Sequence, residues 1–166
     1  MILILLSILF ISSAPLYGEF LPEISLGLGP EVAVSDDGNR TSIALNSDCS
    51  LMKFSIKDGL YLSLPISASF SSRSTILKRR FLGEHIRISI GARAEGTLYE
   101  RLKLSLTAGA GYTHFLKVNA GTTHIYMEGC TAFSIRDGFM IGIPLKLSFI
   151  AGSSLIMTGL FIRTAL

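Results

Sequence analysis

Tryptophan is absent from the 166-residue sequence, cysteine occurs twice, and charged residues make up only 16% of it. Past Tyr17 no run is long and apolar enough to be a membrane helix, which takes ~20 consecutive apolar residues. The formal charge of +3 is too small to point to nucleic acid, so no nucleic-acid partner is expected. No cluster of His, Cys, Asp and Glu has metal-ligand spacing, and the Asp-Gly pairs at 58–59 and 137–138 belong to no phosphate loop. Neither a metal nor another cofactor is therefore expected. What remains is an oily chain without helices. Its mean hydropathy of +0.52 is high for a secreted soluble domain, and it carries 16 glycines.

The first seventeen residues are apolar or small, with a core at Ile2–Ile11 and then Ser12-Ser13-Ala14. This pattern predicts a secretory signal peptide over residues 1–18, cut near Gly18, although no Lys or Arg stands at its start. The other reading is a retained anchor, for which the segment is short. Cleavage would leave residues 19–166, or 166 − 18 = 148 residues, as one domain.

That domain uses one stretch twice. Phe54–Phe70 reads FSIKDGLYLSLPISASF and Phe133–Phe149 reads FSIRDGFMIGIPLKLSF, without a gap at an offset of 133 − 54 = 79. In each copy an Asp-Gly turn separates two alternating runs, a strong hairpin signal because glycine supplies the positive φ that such turns need. On the return strands Leu62, Leu64 and Ile66, or Ile141, Ile143 and Leu145, share a greasy face; the opposite face is polar or small. Weaker echoes, Leu26-Gly27-Leu28-Gly29 and Ala108-Gly109-Ala110-Gly111, suggest a doubled four-strand unit, an architectural repeat and not a binding code.

The same period-two pattern predicts eight strands, at about Glu23–Val34, Arg40–Phe54, Leu60–Phe70, His85–Thr97, Leu102–Phe115, Thr123–Ile135, Phe139–Phe149 and Ser154–Leu166. In the second strand Ile43 and Leu45 set one phase and Met52 and Phe54 the other, which places a bulge near Asn46–Ser50. The strands exceed the ~5–6 residues usual in globular sheets and suit a tilted bilayer crossing of ~9–11 residues. A soluble β-sandwich would also alternate, hiding its greasy faces between two sheets. Here the polar faces are narrow and rich in Gly, Ser, Thr and Ala, as a crowded barrel interior requires. Phe54, Tyr99, Phe133 and Phe139 fall beside the short turns, and Phe70, Tyr112, Phe115 and Phe149 at the opposite strand ends. Two aromatic belts around an aliphatic band match the two interfaces of a membrane, where an open sheet edge could not survive.

In strand number, length and alternation the sequence resembles the small eight-stranded outer-membrane β-barrels, the group of the OmpA transmembrane domain, OmpX, OmpW and the opacity-type proteins. The resemblance covers all of residues 19–166 and carries no diagnostic motif; the last strand alternates but ends on Leu166, where such proteins often carry an aromatic residue. It implies an all-β, eight-stranded antiparallel up-and-down transmembrane barrel in the outer membrane of a two-membrane bacterium. Outer-membrane lipid and the barrel assembly machinery would be its partners. Both chain ends and the three tight turns would face the periplasm, and the longer loops would face outward.

Inward charges are the most informative set: Glu23, Glu31, Glu95 and Glu128 against Arg87, Arg93, Lys103, Lys146 and Arg163. Strand direction puts Glu31, Arg87, Glu128 and Lys146 in the outer half and the other five in the periplasmic half. Buried charges need partners, so two ion-pair layers are expected, with Glu128–Lys146 on adjacent strands as the first contact. Such layers would plug the lumen, giving a structural or surface-interaction role; the alternative is a small gated pore lined by the same charges. OmpW-like transport of apolar molecules would want an apolar upper lumen, which Arg87, Glu128 and Lys146 oppose.

Some small barrels modify lipid A, and the deacylase type has His and Ser two apart on a lipid-facing strand. His85, His114 and His124 have no Ser at that spacing, so no catalytic residue is assigned. All three lie near outer strand ends, where a polar ring at headgroup level is expected. Cys49 and Cys130 fall on opposite walls of an eight-stranded barrel, beyond the ~7 Å reach of a disulfide, and are expected as free thiols. Arg73, Lys78, Arg79 and Arg80 make the longest loop basic, a candidate contact for anionic lipid headgroups or a surface ligand.

Overall fold

The computed structural model describes residues 17–34, 39–57, 59–72, 84–150 and 153–166, and among these there is no helix. Twelve strands follow in order: β1 (Tyr17–Glu19), β2 (Glu23–Val34), β3 (Arg40–Ser50), β4 (Lys53–Lys57), β5 (Leu60–Ser63), β6 (Ile66–Ser72), β7 (His85–Tyr99), β8 (Leu102–Phe115), β9 (Ala120–Arg136), β10 (Phe139–Ile150), β11 (Ser153–Thr158) and β12 (Leu160–Ala165). Joined end to end they form eight staves: β1 with β2, β3 with β4, β5 with β6, then β7 to β10 singly, and β11 with β12. Every neighbouring pair is antiparallel, and β11 and β12 pair back onto β2, so the sheet closes on itself. The expected all-β, eight-stranded antiparallel barrel is the observed fold.

Most strand ends lie within three residues of the expected ones. The breaks inside staves have local causes. Pro65, which has no N–H to give, separates β5 from β6, and its carbonyl instead accepts from the Gly91 N–H at 3.1 Å. In the second stave the phase does flip, but not where the bulge was placed. The β2–β3 register runs unbroken from Ala33↔Arg40 to Glu23↔Ser50, and the flip falls at Leu51-Met52, both exposed. That one shift turns Lys53 inward. β1 was not expected; it continues the first stave by pairing with β4. Residues 1–16, most of the expected signal peptide, lie outside the described residues, so the division at Gly18 stays a proposal.

Both copies of the repeat form the same hairpin. Gly59 and Gly138 have φ of +77° and +76°, and each hairpin shifts register at the equivalent place, Ser55/Lys57 and Phe139/Met140. The two copies occupy staves two and three and staves six and seven, on opposite walls.

Register fixes the barrel's dimensions. Directly opposed residues can be followed once around the wall: Phe139, Thr164, Ile24, Cys49, Ile66, Ile90, Ala110, Ile125, Phe149. The circuit returns to β10 ten residues further on, since 149 − 139 = 10. A ten-residue stagger over eight staves tilts the strands by ~40° and leaves an interior that side chains just fill.

Phe139 and Phe149 both face outward on β10, and the ten-residue step from one to the other rises ~25 Å along the barrel, the height of the apolar band on outer-membrane barrels. Between those levels the outer wall carries Leu26, Ile88, Ile90, Leu106, Ile143 and Leu145, each more than half exposed. A soluble protein would bury such a surface, and hydrocarbon accommodates it. Phe70 and Tyr112 join Phe149 in the outer aromatic ring; Phe115 does not, because it faces the inner side and packs on His85 with ring centroids 5.4 Å apart.

Candidate functional site: the lumen

Polar side chains point inward because the strands alternate, and the ten-residue stagger decides which of them share a level. Lowest is a group around Glu95 on β7. Its carboxylate lies 2.9 Å from Lys53 Nζ, 2.6 Å from Arg163 Nη1 and 3.7 Å from Lys103 Nζ. Lys53 also reaches Glu23 at 3.0 Å. All but Lys103 are buried. Above this group, Arg93 meets Asp48 at 2.7 Å, and the Ser25 hydroxyl donates to the same carboxylate oxygen at 2.7 Å. Highest is Glu31, fully buried, 2.6 Å from Arg87 and 3.3 Å from His85. The hydroxyls of Ser71 and Ser42 donate to Glu31 at 2.6 and 3.3 Å.

The arrangement differs from the expected two layers in three ways. There are three groups, with Arg93 in a middle one. Glu128 and Lys146 are directly opposed in register, yet no ion pair joins them. The Lys146 ammonium instead sits 4.2 Å from the centre of the Tyr126 ring, a cation–π contact. Finally, Asp48 and Lys53 were missed. The phase set by Ile43 and Leu45 already turns Asp48 inward, and that set by Met52 and Phe54 turns Lys53 inward; placing the bulge before Ser50 hid both.

Tyr126 needs room to lie across the lumen, and Gly91 and Gly109 provide it. They oppose each other on β7 and β8, and a Cβ on either would strike the Tyr126 side chain and the facing backbone. A void of about 20 Å³ remains mid-lumen, lined by Ser25, Asn46, Asp48, Glu128, Phe161 and Arg163. It admits a water molecule but no larger solute. At the outer end Ala33, Ile150 and Leu155, on three neighbouring staves, form a buried apolar cluster.

Only His114 sits on the outer wall; His85 and His124 are buried inside, which corrects the headgroup ring expected for all three. Nε2 and Nδ1 of His124 are each 3.0 Å from a hydroxyl, Ser89 and Thr113 respectively. A Ser–His contact thus exists, but across staves rather than two residues apart, and both partners are buried. Among the described residues no three His, Cys, Asp or Glu side chains could hold a metal ion. Cys49 and Cys130 are both free. Arg73, Lys78, Arg79 and Arg80 lie outside the described residues.

No protein-family model matches the chain, and no curated protein matches it in sequence. Solved structures do match in fold. Neisserial surface protein A (NspA) aligns over 90% of this chain and 99% of its own, with a TM-score of 0.64 at 11% identity. Ail, the attachment invasion locus protein of Yersinia pestis, aligns over 89% of this chain and 98% of its own, with a TM-score of 0.58 at 14% identity. Ail has also been solved in complex with the heparin analogue sucrose octasulfate. The outer membrane enzyme PagL aligns over 87% of this chain and 99% of its own, with a TM-score of 0.51 at 11% identity. Closed antiparallel staves, an aliphatic outer band between aromatic rings, charges turned inward and these shared folds lead to one conclusion: the chain has the fold of the small eight-stranded outer-membrane β-barrels.

Proposed function

We propose that the protein is an integral outer-membrane barrel whose lumen is a structural plug, and whose role is played by its outer surface. It would be exported by residues 1–18 and inserted by the barrel assembly machinery. The observation that carries the plug is Glu95, gathering Lys53, Arg163 and Lys103 across the lumen from three other staves. The buried Glu31–Arg87 pair ties the walls again at the outer level, and the mid-lumen void between the two levels is about 20 Å³. Single-channel recording in planar bilayers tests this. Silence is expected; discrete openings that disappear on changing Arg87 or Glu128 would favour the pore.

A surface role is supported by the basic stretch of sequence at Arg73, Lys78, Arg79 and Arg80, and by the sulfated ligand bound to Ail, a protein of the same fold. Binding of sucrose octasulfate to the folded barrel, lost when these four residues become Ala, is the expected result. The enzymatic alternative has its precedent in PagL. Here the Ser–His contact is sealed from lipid, so a lipid modification by the purified protein that depends on His114 or His124 would be needed to revive it.

A further inference from the structure

Among the described residues, every inward carboxylate but one is answered by a cation. Glu23, Glu31, Asp48 and Glu95 stand in ion pairs, whereas Glu128 makes none. Glu128 also lines the mid-lumen void of about 20 Å³. Two other side chains on that lining carry a polar atom with no hydrogen-bond partner in the protein. Arg163 gives Nη1 to Glu95, but its buried Nε–H meets no acceptor. The Asn46 amide nitrogen donates to the Met157 sulfur, and its buried Oδ1 meets no donor. A bare donor, a bare acceptor and an unpaired carboxylate thus belong to the walls of one small space, and burying such groups unanswered is costly.

The walls decide what fits between them. A cation would face the Arg163 guanidinium, and an anion would face the carboxylates of Asp48 and Glu128. An apolar group would leave the Arg163 Nε–H and Asn46 Oδ1 unanswered. The volume suits one water-sized molecule. The occupant is therefore small, neutral, and both donor and acceptor.

We propose that this void is the binding site of one structural water, which accepts from Arg163 Nε–H and donates to Asn46 Oδ1 and to the Glu128 carboxylate. Three hydrogen bonds is the usual number for a buried water, and such a bridge is nearly as favourable as a direct bond. It gives Glu128 the cationic partner that Lys146, turned onto Tyr126, does not supply. Because Arg163 already holds Glu95, the water joins the lower group of charges to the middle of the lumen. The second, sixth and eighth staves meet at that one molecule. The assignment deepens the plug reading and rests on it, since in an open pore bulk water would fill the same space.

Solution NMR of the folded protein, labelled with nitrogen-15 and held in detergent micelles, tests it at the Arg163 Nε–H signal. A rotating-frame Overhauser contact with water is expected, opposite in sign to the diagonal, as a bound water gives and proton exchange does not. Asn46→Leu, of nearly equal size but without the carbonyl, should abolish the contact. Ser148→Ala, buried on β10 but away from the walls of the void, should leave it unchanged. Heat-modifiable gel migration reports that each variant has folded, and Glu128→Met replaces Asn46→Leu if the latter fails to fold. A contact that survives the substitution, or is lost equally in Ser148→Ala, overturns the proposal. So does its absence from the unaltered protein: with silent planar bilayers the plug then still stands, and with single-channel openings the plug falls too.

Discussion

Glu95 is the residue on which the lower lumen turns, and its neighbours differ in how much they depend on it. Lys53 keeps Glu23 if Glu95 is neutralised, whereas Arg163 has no second carboxylate within ion-pair distance among the described residues. Glu95→Gln is therefore expected to cost about 3–5 kcal/mol, the usual penalty for orphaning a buried charge, read as a lower urea midpoint in detergent micelles. Lys103→Met, at a half-exposed partner 3.7 Å away, should cost less than about 1 kcal/mol. The cysteines give a simpler expectation. Thiol titration of unfolded, non-reduced protein should find both Cys49 and Cys130 free. The inward orientation of Glu95 and Arg163 was readable from alternation alone. Their meeting was not, since 68 residues separate them.

Strands and turns were the most legible level. The Asp-Gly pairs located both repeat hairpins because a residue at φ near +77° is strained unless it is glycine. Gly138→Ala and Gly59→Ala should each destabilise the barrel by about 1–2 kcal/mol, and by similar amounts, since their hairpins share one geometry. The outward face is equally explicit. Leu145 lies six residues above Phe139 and four below Phe149, near mid-membrane, so Leu145→Arg should cost about 2–4 kcal/mol. Ile135→Arg, at the periplasmic end of β9, should cost no more than about 1 kcal/mol. Denaturation in the same micelles separates the two. Where the reading slipped, at Leu51-Met52, two neighbouring outward residues broke the alternation, and the pattern could not say on which residue the phase turned.

For the whole molecule, closure is the decisive property. A sheet whose last stave pairs with its first leaves no unbonded edge in hydrocarbon and unfolds as a unit. Unboiled protein in detergent should migrate differently from boiled protein on a gel and show mostly strand content by circular dichroism. A detergent-free, water-soluble monomer burying Leu106, Ile88 and Ile143 would contradict the barrel.

Stave count, the direction most side chains point and the levels of most of the aromatic residues follow from the order of residues, because alternation and turn chemistry are local properties of the chain. Which inward charges meet is different. Glu95 with Arg163, Asp48 with Arg93, and Lys146 on Tyr126 instead of Glu128 depend on a ten-residue stagger that exists only once the sheet has closed. The stagger sets the height of every stave against every other. No stretch of sequence carries it, because it belongs to the circuit as a whole.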